Sequence, residues 1–245
     1  MLVLVRRARG AAGAVSTAVI VFAKAPVAGL AKTRLAPALG AEGAAALAAR
    51  MLHHALAEAT AAAIGAVELC AAPDASHPAL RAAASGCGAA LTEQGPGELG
   101  LRMHRAFTRS LLRHDRALLI GTDAPSLDAA LLRRAAQTLE QHDAVFVPAL
   151  DGGYALVGLR QADPRWFTGM AWSHARVMAD TRERLRAAGL RWAELPPVAD
   201  IDEPADLQHL PPGWLEGLIV GGQAASACAQ RGHGATRWRR MRAAR

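Results

Sequence analysis

Five short segments of this 245-residue sequence carry side chains able to hold an anion, a hard cation or a proton. The first is Lys24-Ala-Pro-Val-Ala-Gly29-Leu-Ala-Lys32-Thr-Arg34-Leu35, where a glycine lets backbone N–H groups approach a phosphate and Lys32 and Arg34 can neutralise it. It is not a Walker A loop, because Pro26 and Ala31 stand where glycines are required. The second, Gly121-Thr-Asp123-Ala-Pro125, follows the apolar run 117–120 and puts a hard oxygen ligand at a strand's carboxyl end, where open α/β sheets bind ligands and where Mg²⁺ on a diphosphate is at home. In the third, Asp151-Gly152-Gly153-Tyr154, the glycines permit close backbone approach and Asp151 can bind a hydroxyl or take its proton. In the fourth, Asp200 and Asp202 alternate across Ile201 and point to one face of an extended segment, as a metal site or as a repelling pair. The fifth sets Arg102 after a Gly/Pro-rich loop at 94–97, within reach of a phosphate or a base edge.

Each segment also has a plain structural reading. The first is equally a strand-to-helix loop with exposed bases, and the second a helix-capping turn. Asp-Gly-Gly makes a hairpin turn without any ligand. Asp200 and Asp202 suit the start of the helix expected from Glu203, and Arg102 suits a solvated surface. One compositional bias favours the phosphate reading of the first segment. Of 28 basic residues only Lys24 and Lys32 are lysines, and both fall in that loop. Lys and Arg are not interchangeable at a phosphate.

These segments need a scaffold, and the hydropathy pattern supplies one. Strands are predicted at 17–23, 66–71, 89–92, 117–121, 144–148, 155–159 and 190–195. Helices are predicted at 43–63, 78–85, 99–113, 128–141, 173–188 and 203–210. The alternation predicts a three-layer α/β/α domain with a mixed, mainly parallel sheet, the antiparallel element entering at the Asp-Gly-Gly turn. The nine histidines lack metal-ligand spacing and read as surface or partly packed groups.

Together, F-A-K-A-P-x-x-G-x-x-K-T-R-L, Q-G-x-G-x-L-G-x-R-M, L-L-I-G-T-D-A-P-S-L, P-A-x-D-G-G-Y-A-L-V-G-L and D-I-D-E-P-A-D-L resemble one bacterial family. It is the glycosyltransferase-like family formerly of unknown function, some of whose members are linked with radical-SAM partners and arsenosugar biosynthesis. The family is similar to 2-phospho-lactate guanylyltransferases and molybdenum-cofactor nucleotidyltransferases, all of the nucleotide-diphospho-sugar transferase (GT-A) fold. The resemblance covers residues 18–210 and departs at Trp172-Ser173-His174, where the family pattern has Thr in third place.

The resemblance implies that Lys24, Gly29, Lys32, Arg34 and Arg102 contact the nucleotide phosphates. Asp123 and Asp202, or Asp200 in its place, would hold Mg²⁺ or Mn²⁺. Gly152, Gly153 and Tyr154 would face the acceptor, with Asp123, Asp151 and Lys32 taking part in catalysis. The implied activity is group transfer from a nucleotide-activated donor, such as an NDP-sugar, to a small acceptor. Nucleotidyl transfer from an NTP and non-catalytic nucleotide binding are the alternatives.

Composition bounds the rest. Hydrophobic residues make up 52% of the chain, enough for a full core, and aromatics only 4%, too few for a single-strand stacking platform. Three scattered cysteines fit a reducing, cytoplasmic setting, and no apolar run approaches the roughly 20 residues of a spanning helix. The net charge of +7 belongs to the ends. Residues 1–17 hold three arginines and no acid, 211–245 six arginines and one acid, and 18–210 hold 19 bases against 20 acids. Residues 1–17 therefore read as an extension and 211–245 as a basic, disordered tail dispensable for the transferase domain, and nucleic acid is not an expected partner.

Overall fold

A computed structural model describes residues 16–218; the calls for 1–15 and 219–245 lie outside the described residues. Seven strands form one sheet: β1 (Thr17–Lys24), β2 (Gly65–Ala72), β3 (Ala90–Glu93), β4 (Arg116–Ile120), β5 (Ala144–Pro148), β6 (Tyr154–Leu159) and β7 (Trp192–Glu194). Their order is β3-β2-β1-β4-β6-β5-β7. Only β6 runs antiparallel to its neighbours, β4 and β5, so the sheet is mixed and mainly parallel.

The helices are α1 (Ala36–Ala61), α2 (Pro78–Cys87), α3 (Leu99–Leu111), α4 (Ala129–Thr138) and α5 (Val177–Ala187). Strand periodicity assigns them to two faces. Val19 and Val21 of β1 pack with Leu52 and Leu56 of α1, Leu80 of α2 and Leu132 of α4. Ile20 and Phe22, pointing the other way, pack with Met103 and Phe107 of α3 and Met178 and Leu185 of α5. The layers are thus α1/α2/α4, sheet, α3/α5. Among the described residues no helix is long and apolar enough to cross a membrane.

Three boundaries differ from the sequence reading. α1 begins near Ala36 rather than 43, because Pro37 fits a first helical turn and a short helical piece precedes a kink at the non-helical Gly40 (φ 72°), after which the main helix runs on. The segment after Glu203 is a 3-10 helix, Pro204–His209, closed by a capping box between Glu203 and Asp206. The packed body also continues past residue 210. Trp214, Leu215 and Leu218 join Leu35, Leu47, Met51 and the fully buried Ile201 in a third apolar cluster against α1. Residues 211–218 therefore belong with the domain, not with a disordered tail.

Candidate functional site

In strand order, the chain reverses direction between β1 and β4, since β1 connects outward to β2 and β4 onward to the β5–β6 side. Crevices outside the carboxyl ends of strands at such a point are where open α/β sheets bind ligands. The loops after β1, β4, β5 and β7 all emerge at this carboxyl edge, and they carry Lys32, Asp123, Asp151 and the Asp200–Asp202 segment respectively.

The loop after β1 is wound tightly. The Val27 carbonyl accepts from the N–H groups of Leu30 and Ala31 at 3.0 and 2.8 Å, and Gly29 takes φ 76°, a conformation that favours glycine. Lys32 itself is left-handed (φ 48°, ψ 43°), at a cost of about 1 kcal/mol for a residue with a Cβ. This turn aims Lys32 inward. Its ammonium contacts Asp123 Oδ1 at 2.6 Å and donates to Asp202 Oδ1 at 2.7 Å and to the Ile201 carbonyl at 2.6 Å, and the side chain is 9% exposed. An ammonium has three donors, and all three are used. Burial alone would lower its pKa, but the charges of Asp123 and Asp202 and hydrogen bonds to both outweigh this and raise it.

Both aspartates are fixed through their backbones. Ile201 N–H donates to the Asp123 carbonyl at 2.8 Å, tying the two loops together, and Asp206 Oδ2 accepts from the N–H groups of Asp202 and Glu203. The loop carrying Asp123 is pinned further. His54 Nε2 lies 2.8 Å from the Pro125 carbonyl, Glu58 Oε2 accepts from Ala129 N–H at 2.7 Å, and Asp128 caps α4 through Leu131 N–H. His54 and Glu58 are positioning residues that sequence reasoning missed. Their spacing of four places both on one face of α1, but the face of α1 that meets the β4 loop is decided by the fold.

Across the site, Asp151 is exposed and its Oδ1 accepts from Gly153 N–H at 2.8 Å, an Asx turn. Gly152 is required twice. Its φ is 93°, and a Cβ there would lie 2.1 Å from the Ala175 carbonyl oxygen, while its own carbonyl accepts from Met178 N–H in α5. Asp200 lies within electrostatic reach of this turn. Partial burial, then the negative charge of Asp151, raise its carboxyl to about 6.

Other expected site residues are placed elsewhere or otherwise engaged. Tyr154 turns its ring toward Phe146 and Trp172, at centroid distances of 5.3 and 6.4 Å, and burial pushes its phenol well above the ordinary range. Its ring therefore packs on the apolar layer beneath the turn. Arg102 Nε donates to the Gly97 carbonyl at 2.7 Å and its Nη1 to Gln94 Oε1, so it ties its own glycine loop and is not brought to the Lys32 centre. Among the described residues Arg34 makes one exposed 3.7 Å pair, with Glu203, and Lys24 is exposed at the end of β1, so neither is held away from the loop's mouth. His174, where the family pattern has Thr, accepts from Arg176 N–H through Nδ1 at 3.1 Å, the local turn a Thr hydroxyl would make.

Residues 55–174 match the family described as "Uncharacterized protein conserved in bacteria (DUF2064)". A crystal structure of a candidate nucleotide-diphospho-sugar transferase from Desulfovibrio desulfuricans G20 is 32% identical, with TM-score 0.73, over 79% of this chain and 85% of that one. The chain belongs to the family of that Desulfovibrio protein. Fold alone is shared with a Methanothermobacter nucleotidyl transferase (14% identity, TM-score 0.55, 82% and 98% covered). The same holds for glucosyl-3-phosphoglycerate synthase from Mycobacterium tuberculosis, crystallised with Mn²⁺, UDP and glucosyl-3-phosphoglycerate (12%, TM-score 0.50, 80% and 75% covered). A search of curated proteins found no match.

The donor set at Lys32 is compatible with a divalent ion. Asp123 and Asp202 bring hard carboxylate oxygens to one cation, and their side chains are 47% and 44% exposed. Among the described residues no group of three or more His, Cys, Asp or Glu suits a metal. Mg²⁺ commonly takes one or two carboxylates and completes its shell with phosphates and water, so two aspartates fit a metal that arrives with a nucleotide.

Proposed function

We propose that this protein transfers a group from a nucleotide-activated donor, an NDP-sugar, to a small acceptor with the help of Mg²⁺ or Mn²⁺. The observation that carries this reading is the convergence of Lys32, Asp123 and Asp202 on one point at the carboxyl edge, between β1 and β4. Asp123 and Asp202 would hold the metal, which when bound neutralises charge on the diphosphate. Lys24 and Arg34 stand at the mouth of the same loop and would meet the outer phosphate oxygens, with Gly29 allowing the backbone to approach them. Lys32 would stabilise the diphosphate as its bond to the transferred group breaks. Asp151, exposed on the tethered Gly152-Gly153 turn, would orient the acceptor hydroxyl and take its proton.

Nucleotidyl transfer from an NTP is the second reading, favoured by the fold shared with nucleotidyl transferases. Both need the same phosphate and metal groups, and they differ in what is released. The test is a thermal-shift screen of NTPs and NDP-sugars with and without Mg²⁺, followed by product analysis. A ligand bound only by the native state raises Tm. NDP release from a sugar nucleotide is the expected result, pyrophosphate release selects the second reading, and no metal-dependent shift with any nucleotide rejects both.

A further inference from the structure

Lys32 and a divalent ion would need the same two carboxylates. All three N–H donors of the Lys32 ammonium are taken, by Asp123 Oδ1, Asp202 Oδ1 and the Ile201 carbonyl, each within 2.7 Å. A metal that takes the Oδ1 atoms of both aspartates displaces this ammonium from between them, and the displaced, largely buried charge then needs a new anionic partner. A nucleotide's phosphates, arriving at the same loop, are such a partner. From this geometry we infer that Lys32 is a built-in cation that keeps the metal site shut until nucleotide binds: the ammonium passes from the two aspartates to the phosphates as the metal takes its place. The inference rests on the reading that Asp123 and Asp202 are the metal ligands.

Several features make this a handover between two defined places. The left-handed backbone at Lys32, the tight turn anchored on the Val27 carbonyl and the Ile201–Asp123 backbone hydrogen bond fix both ends of the contact. The side chain alone is left to move, and its long flexible stem suits it to deliver one charge to two places. Thr122 Oγ1 also donates to Asp123 Oδ1, at 3.3 Å, so this oxygen keeps a partner when the ammonium leaves. The consequence is coupling. Metal alone binds weakly because it must expel a satisfied ammonium, and nucleotide strengthens metal binding partly by giving that ammonium somewhere to go. By linkage, the metal strengthens nucleotide binding by the same factor.

The test is Mn²⁺ binding to the nucleotide-free protein, measured by electron paramagnetic resonance and by calorimetry. Lys32→Gln, which removes the charge and keeps a polar end group on a side chain one bond shorter, is expected to bind Mn²⁺ at least ten-fold more tightly than wild type. It should also melt at a lower temperature than wild type in EDTA and regain the difference when Mn²⁺ is added. Lys32→Met, which removes the hydrogen bonds as well, should behave alike and guards against a folding defect of one variant. Equal or weaker Mn²⁺ binding by folded Lys32→Gln and Lys32→Met overturns the inference. The metal-ligand reading fails separately if adding Asp202→Asn to Lys32→Gln leaves Mn²⁺ affinity unchanged.

Discussion

On the β1–β4 side of the carboxyl edge, Asp123 and Asp202 share one buried ammonium. On the β5–β7 side, the charge of Asp151 acts on Asp200, and among the described residues neither has an ion-pair partner. The first side is charge-compensated and locked by hydrogen bonds between loops. The second is under-compensated, and partial burial, with repulsion from Asp151 added, holds Asp200 at about 6, close to where a group can exchange protons at neutral pH. The same residue type thus sits in two electrostatic settings, separated by whether a cation is supplied.

The largest expected effect comes from breaking the compensated side. Asp123→Ala should lower turnover by at least ~10³-fold, the scale of losing a principal charge-stabilising group, with a native circular dichroism spectrum and a Tm lowered by the loss of one Lys32 partner. Activity close to wild type would remove Asp123 from the chemistry. Next is Gly152→Ala, which forces a Cβ to within 2.1 Å of the Ala175 oxygen at φ 93°. A loss of about 2–4 kcal/mol in urea unfolding is expected, from strain and a displaced α5.

The smallest effect sharpens the uncompensated side. Because the folded-state pKa of Asp200 is raised, ionising it in the native protein costs stability as pH rises from about 4 through about 6. Asp151→Asn removes part of that repulsion. In EDTA it should stabilise the fold by roughly 0.5 kcal/mol at pH 7, small because both groups meet solvent, and by nothing at pH 4. A gain that is equal at both pH values would mean that charge is not its origin.

Much of this was legible in the residues. Among the described residues the seven strands and five α-helices were anticipated because apolar runs and turn signals agreed, and the motif loops came out on one edge because parallel strands joined by helices leave no other place for them. The Lys32–Asp202 contact was not legible. The two are 170 residues apart, and only the strand order brings their loops together. Nor was the use of Arg102 on its own loop, or the inward turn of Tyr154, since sequence gives the type of a side chain and not its direction. The Glu68–Arg109 ion pair, joined by Thr92 and Cys70, was missed for the same reason: it links β2, β3 and α3 across the sheet edge.

Ile201 has a consequence for anyone who trims this chain. Its carbonyl receives Lys32, its N–H holds Asp123, and its side chain is fully buried beneath the cluster that includes Trp214 and Leu218. A cut after residue 210, where the recognisable motifs stop, strips the cover from that side chain while leaving every motif intact on paper. The shortest faithful version of the protein ends no earlier than 218, and eight residues without a chemical group of interest are part of how the site keeps its shape.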